Sequence, residues 1–357
     1  MILDIVKVFG PSTVAFFIGI LLTPILTHFL YKYKMWRKKA GKRTAMIGKA
    51  EVYNSLGSRN NKSGNSAEVG TPRMGGVIIW ASTVVTILLF FLTSVIFPGE
   101  TTEKLNFLSR NQTWLPLFTL VTGSLIGLID DYFDVSGRIG YLAGGLSLKK
   151  RLTIVLIIGF IGAWWFFFKL NVSLIAIPFV GYWDLGFFFI PFFMLVMLAV
   201  YAGGVIDGLD GLAGGTFASI FAAYAGIAFF QHQIDLAAFS AVLFGGNLAF
   251  LWFNIPPARF YMSETGSMGL TLTLAVIAFL TNTVLLLPII AFPLFITVVT
   301  NILQVCSKKF FGRKIFLAAP IHHHFEAIGW PSYKVTMRYW IISMVTAIIG
   351  LILAVIS

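Results

Sequence analysis

Cysteine is almost absent. The 357 residues include one, Cys306, so neither an intrachain disulfide nor a paired-cysteine zinc site can hold the fold together. Charge is scarce as well: Asp, Glu, Lys and Arg make up 11% of the chain while 58% is hydrophobic, against roughly a quarter charged in a soluble domain. That balance excludes a water-soluble globule. The length would otherwise suggest two or three soluble domains, but here it serves one bundle of helices that each need about 20 residues to cross a bilayer. Internal repeats are missing, and acids are the rarer charge, 14 against 26 Lys and Arg.

Long apolar runs are what the chain has in quantity. They fall near residues 8–31, 74–97, 114–129, 151–170, 187–206, 212–231, 237–253, 268–286, 288–306 and 336–356. The pattern predicts an all-α polytopic membrane protein of about ten transmembrane helices, a single integral domain over residues 1–357. Between the eighth and ninth helices, Asn282 and Pro288 interrupt a continuous apolar stretch and mark the boundary. The first run is too long for a signal-peptide core, and its basic residues follow it instead of preceding it, so it is expected to remain as a helix.

If alternate connections share a side, one side collects all the basic residues except Lys7, Lys104, Arg110 and Lys169. The positive-inside rule makes that side cytoplasmic and puts both termini outside. A net charge of +12 placed this way points to anionic lipid or an anionic substrate and not to nucleic acid. The first cytoplasmic loop, about 32–73, opens with a basic run suited to anionic headgroups and continues into a stretch rich in Gly, Ser and Asn that reads as mobile. A second long cytoplasmic loop spans about 307–335.

The acids are more informative. Asp4, Glu100, Glu103, Asp184 and Asp235 lie in outer segments, whereas Asp130, Asp131, Asp207, Asp210, Glu264 and Glu326 all stand at cytoplasmic helix ends. Adjacent Asp130 and Asp131 repel each other unless a cation intervenes, and a helix C-terminus is the unfavourable end for anions; the alternative is a solvated terminus. In Asp207-Gly208-Leu209-Asp210-Gly211 the carboxylates are three apart, on one face if helical, among glycines that admit a ligand or close helix packing. Hard oxygen donors at one level suit Mg²⁺ with substrate phosphates, and Lys149, Lys150 and Arg151 stand on the same side to meet anionic groups. Three consecutive imidazoles, His322, His323 and His324, cannot all face one ion from a regular element, so phosphate contact or proton transfer suits them better than a metal triad. His28 and His232, isolated at the ends of apolar runs, read as interfacial residues.

The string Ala319-Pro320-Ile321-His322-His323-His324-Phe325-Glu326, with Gly329-Trp330-Pro331 after it, resembles the signature of the phospho-N-acetylmuramoyl-pentapeptide transferases. Gly70-Thr71-Pro72 with Met74-Gly75-Gly76, Asp130-Asp131-Tyr132, Asp207-Gly208-Leu209-Asp210-Gly211-Leu212-Ala213 and Leu251-Trp252-Phe253-Asn254 are similar to further motifs of that family. The triple histidine is the most specific, because the wider sugar-1-phosphate transferase superfamily shares the aspartate motifs but generally lacks it.

The resemblance implies a ten-helix bacterial inner-membrane enzyme with a cytoplasmic cleft. It would transfer phospho-MurNAc-pentapeptide from UDP-MurNAc-pentapeptide to undecaprenyl phosphate, giving lipid I and UMP, with Mg²⁺ as cofactor. Membrane lipids are further partners, and a second copy of the chain, as a homodimer, is a candidate partner. Carried over by position, Asp130, Asp131, Asp207, Asp210 and His323 are expected to be catalytic. Arg73, Lys149, Lys150, Arg151, Asn254, His322 and His324 are expected to bind substrate, and Glu264 with Asp131 to hold the metal.

The chain departs from the family pattern at several of these motifs. Met-Gly-Asp-x-Gly-Ser reads Met262-Ser263-Glu264-Thr265-Gly266-Ser267, which keeps the acidic charge on an arm one methylene longer. A family lysine before Gly-Thr-Pro is Glu68, one after the paired aspartates is Asp134, another aligns with Arg151, and an asparagine before the second acidic motif is Gly204. The nearest alternative is a relative that passes N-acetylglucosamine 1-phosphate, or a similar sugar phosphate, to a polyprenyl phosphate. A more distant one is an ion-coupled transporter, which needs acids near the midplane reachable from both sides.

Overall fold

The structure is a computed structural model, and it describes residues 2–36, 70–109, 111–136 and 145–357. The predicted mobile stretch, Glu68 included, lies outside the described residues. Among the described residues, ten helices are long and apolar enough to cross a membrane. They are α1 (Ile2–Lys32), α2 (Val77–Ile96), α3 (Trp114–Ser136), α4 (Leu148–Trp164), α5 (Phe189–Ala202), α6 (Leu212–Phe230), α7 (Ile234–Asn254), α8 (Ser263–Leu280), α9 (Phe292–Phe311) and α10 (Ser332–Ile356), the α4 and α5 spans extended by flanking helical turns to Leu148–Lys169 and Gly186–Ile206. The only strands among the described residues are β1 (Leu174–Ile177) and β2 (Gly181–Asp184), an antiparallel hairpin that pairs Ile175 with Trp183. The expected break near Asn282 and Pro288 is present as short helical turns between α8 and α9.

Two boundaries differ from the hydropathy reading in a way that matters. The third helix continues past residue 129 through Asp130, Asp131 and Asp134, and the eighth begins at Ser263, so Glu264 lies in its first turn. Both extensions are too polar for a hydropathy window. They are helical because their carboxylates find partners inside the protein, as described below.

Helix α8 is the centre of the bundle: 89% of its apolar stretch is buried, against 22–39% for α1, α2, α4, α5, α9 and α10. It packs most extensively on α3. The approach is so close that a Cβ on Gly127 would fall 2.1 Å from the Glu264 carbonyl oxygen, which only glycine avoids. Away from that crossing, Phe193 of α5 stacks on Phe279 of α8 at 4.3 Å between ring centroids, and Phe166 and Phe189 complete an aromatic cluster. Aromatic packing at one end of α8 and glycine contact at the other hold its first turn in place.

Candidate active site

Two carboxylates from different parts of the chain cap the start of α8. Asp131 Oδ2 accepts from the Thr265 amide at 2.9 Å and from its hydroxyl at 2.6 Å, while Asp207 Oδ2 accepts from the Ser263 amide at 2.7 Å. The first amides of a helix have no intrahelical acceptor and carry the positive end of the macrodipole, so acids are stabilised there. Glu264 stands between these two capped positions. Asp131, Asp207 and Glu264, distant in sequence, thus meet at one helical turn.

Two arginines thread this cluster. Arg151, on the first turn of α4, places Nη2 3.0 Å from Asp130 and Nη1 2.6 Å from Glu264 Oε1, and its Nε donates to the Leu146 carbonyl at 3.1 Å. Asp130 also accepts from the Leu146 amide. Arg73, in the segment before α2, donates from Nε to Ser263 Oγ at 3.0 Å, pairs through Nη1 with Asp134, and lies 3.9 Å from Asp131 Oδ1. The adjacent aspartates of α3 therefore do not face one shared cation: Arg151 serves Asp130, and Arg73 is the nearer guanidinium to Asp131. Lys149 and Lys150 remain exposed, so Arg151 alone of that basic run reaches the carboxylates.

The segment 207–211 joins this cluster to the histidines. His322 lies in the short helix Ile321–Ala327 and is fully buried, with neither ring nitrogen hydrogen-bonded. Its ring meets His323 at 4.4 Å and Tyr339 at 6.3 Å. Burial and the neighbouring His323 hold its imidazole well below the usual 6.5, so it is neutral. His323 Nδ1 is 2.8 Å from Glu326 Oε2, and the Ser332 hydroxyl donates to Oε1 of the same glutamate. His324 Nδ1 accepts from the Leu317 amide at 3.2 Å. A Cβ on Gly208 would come within 2.7 Å of His322 Nε2 and 3.1 Å of His323 Nε2, so the 207–211 turn lies directly on the two imidazoles.

Asp210 and Asn254 hold that turn from behind. Asp210 Oδ2 accepts from the Ala258 amide at 3.0 Å, and Thr336 and Trp340 of α10 donate to the Asp210 and Gly211 carbonyls. Burial, and then the nearby charge of Glu326, raise the Asp210 carboxyl above its usual value while the Ala258 amide opposes them. Asn254 is buried; its Oδ1 accepts from the Gly211 amide and its Nδ2 donates to the Phe260 carbonyl. Both side chains are thus engaged with backbone at this junction. Gly204 sits near the same end, its virtual Cβ 3.4 Å from Ser267 Cβ.

Ser263 and Thr265 are the site residues that sequence reasoning missed, together with Asp134 as a partner for Arg73. A Ser-Glu-Thr run just before an apolar helix carried a signal for the first two, since small hydroxyl residues favour helix starts. Nothing in the sequence paired residue 73 with residue 134.

Fold and cluster define a polytopic α-helical membrane protein whose buried carboxylates and guanidiniums gather at one end of the bundle. Residues 113–282, from the start of α3 to the end of α8, match the family described as Glycosyl transferase family 4. A phospho-N-acetylmuramoyl-pentapeptide-transferase of Anoxybacillus flavithermus is 33% identical over 346 residues, covering 96% of each chain. The protein of that name from Bacillus subtilis is 34% identical over 345 residues, 95% of each, and one from Chloroflexus aurantiacus is 32% identical over 318 residues, 84% of this chain and 82% of the relative. The chain belongs to the phospho-N-acetylmuramoyl-pentapeptide-transferase family.

Proposed function

We propose that this protein transfers phospho-MurNAc-pentapeptide from UDP-MurNAc-pentapeptide to undecaprenyl phosphate, yielding lipid I and UMP, at the cytoplasmic face of a bacterial plasma membrane with both termini outside. The observation that carries the reading is the meeting of Asp131, Asp207 and Glu264 at the first turn of α8, beside two guanidiniums. Every residue in that cluster comes from a segment on the side rich in Lys and Arg.

The donor set suits a magnesium ion. Asp131, Asp207 and Glu264 bring hard carboxylate oxygens, the donor type magnesium prefers, to the first turn of α8. Among the described residues no group of three or more His, Cys, Asp or Glu side chains is placed to hold a metal ion. Magnesium needs only one or two protein carboxylates and completes its shell with water and substrate phosphates. Glu264 and Asp131 would hold it. When bound, it supplies positive charge to the pyrophosphate and the departing UMP.

The chain's own groups do the rest. A phosphate monoester loses its second proton near pH 6, so the lipid phosphate arrives already nucleophilic and Asp130 or Asp131 need only accept a residual proton. The lipid phosphate oxygen attacks the sugar-bearing phosphorus directly, and UMP leaves. Arg151 bridges Asp130 and Glu264, Asp131 and Asp207 fix the turn on which Glu264 stands, and the imidazoles of His322 and His323 border the segment that links the two halves of the site.

The test is UMP release by purified protein in lipid or detergent, supplied with UDP-MurNAc-pentapeptide, undecaprenyl phosphate and Mg²⁺, with and without chelator. Turnover with the muramoyl donor that stops on chelation supports the reading. Turnover only with UDP-N-acetylglucosamine overturns it, and a phosphorylated protein formed from donor alone overturns direct attack.

A further inference from the structure

The two site arginines are used differently. Arg151 commits Nε, Nη1 and Nη2 to Leu146, Glu264 and Asp130, so each of its nitrogens is engaged with the protein. Arg73 engages Nε with Ser263 and Nη1 with Asp134. A guanidinium carries five N–H donors in a rigid fork, and fixing two nitrogens fixes the direction of the third.

The base of Arg73 is fixed too. Its amide donates to the Met35 carbonyl at 2.8 Å, and the neighbouring backbone pairs twice with Tyr261, through Pro72 O and Gly75 N. The side chain is 14% exposed and Asp134 is 6% exposed. A long flexible residue thereby becomes a rigid one beside Asp131 and the start of α8.

Two features are costly without a purpose at this place. Ser263 adopts φ +56, a left-handed conformation disfavoured for a residue with a side chain, and its hydroxyl is the acceptor for Arg73 Nε. Asp134 adds a further acid to a site that is to receive phosphate. Paired with Arg73, it no longer repels phosphate; instead it anchors the cation.

We propose that Asp134 and Ser263 are positioning residues that hold Arg73 with Nη2 toward an anionic phosphate oxygen of substrate. Arg73 is then the substrate-binding cation of this site and Arg151 its internal bridge. The inference rests on the proposed transfer reaction. The oxygen belongs to the donor pyrophosphate or the lipid phosphate, and separate KM measurements for the two substrates distinguish these sources.

The experiment compares wild type, Arg73→Ala, Asp134→Asn, Asp134→Glu and the double variant Arg73→Ala with Asp134→Asn, reading kcat, both KM values and the thermal midpoint. UMP binding in the absence of acceptor is measured alongside. Arg73→Ala and Asp134→Asn should each raise one of the two KM values about fivefold or more, with kcat within about twofold. Asp134→Glu should recover part of the loss, and the double variant should be no worse than Arg73→Ala alone. If the donor is the source, UMP binding weakens in parallel. Unchanged KM values, a fall in thermal midpoint alone, or additive losses in the double variant would overturn the inference while leaving the transfer reaction standing. Absence of UMP release by the wild type would remove the transfer reaction, and the inference with it.

Discussion

The Thr265 hydroxyl donates to Asp131 Oδ2 at 2.6 Å, joining residues 134 positions apart and tying the third transmembrane helix to the first turn of the eighth. Hydrogen bonds to a charged acceptor contribute roughly 1.5–3 kcal/mol. Thr265→Val keeps the shape and removes the donor. It should lower the thermal midpoint and cut kcat by about tenfold through misplacement of Glu264, measurable by UMP release and thermal unfolding in the same detergent. An unchanged kcat would show that this bond does not position Glu264.

Arg151 bridges two acids from different helices, and breaking a buried pair by removing one partner costs about 3–5 kcal/mol. Arg151→Ala should therefore destabilise the protein and lower turnover by about a hundredfold or more. Arg151→Lys keeps the charge but loses the fork that reaches both carboxylates, so an intermediate defect is expected. Equal activity of the lysine variant and wild type would mean that charge alone matters here.

Gly208 lies against two imidazoles, its virtual Cβ 2.7 Å from His322 Nε2. Gly208→Ala must push the 207–211 turn away from the histidines, while a methyl group barely alters charge or hydropathy. Donor KM should rise several-fold, and His323→Ala should show the same kind of defect. If Gly208→Ala has wild-type kinetics, the contact between turn and histidines is irrelevant to donor handling.

His322 gives the fold a pH dependence whose sign can be worked out. Burial and His323 hold the imidazole neutral well below 6.5, while in the unfolded chain it protonates near 6.5. The unfolded state then binds more protons, so stability is full above pH 6.5 and falls as pH drops below it. Asp210, raised by burial, acts in the opposite sense, gaining stability for the fold as pH falls. Tyr339 and His323 are the titratable groups whose rings face His322. Relative to wild type, His322→Gln should gain thermal midpoint on going from pH 6.5 to 5, because it removes an imidazole that protonates only on unfolding. Identical pH dependence in the two proteins would exclude a contribution from His322.

The ten spans were legible because hydropathy over 20 residues is a property of local sequence. Their polar ends were not. Asp130, Asp131 and Glu264 read as helix ends just outside the apolar runs, whereas the structure carries the helices through them, α3 on past Asp134 and α8 from Ser263. What keeps them helical comes from elsewhere in the chain: Thr265 for Asp131, and Arg151 for both Asp130 and Glu264. The motifs showed which carboxylates matter, but not which cation each would meet, since the Arg73–Ser263 contact spans 190 positions. Asp134, read as a lost lysine, is found paired with Arg73. The hairpin of β1 and β2 also went unseen, because four-residue strands between apolar helices leave no periodic signal.

Helix α8 is enclosed by its neighbours along 89% of its apolar stretch, whereas α10 is enclosed along 22%. A thicker or thinner bilayer acts on surfaces that touch lipid, by tilting helices or drawing in headgroups. The outer ring will absorb such mismatch while the first turn of α8 keeps its depth. The chemistry is thereby insulated from membrane thickness, and host lipid composition should govern how readily the polyprenyl substrate reaches the site more than what happens to it there.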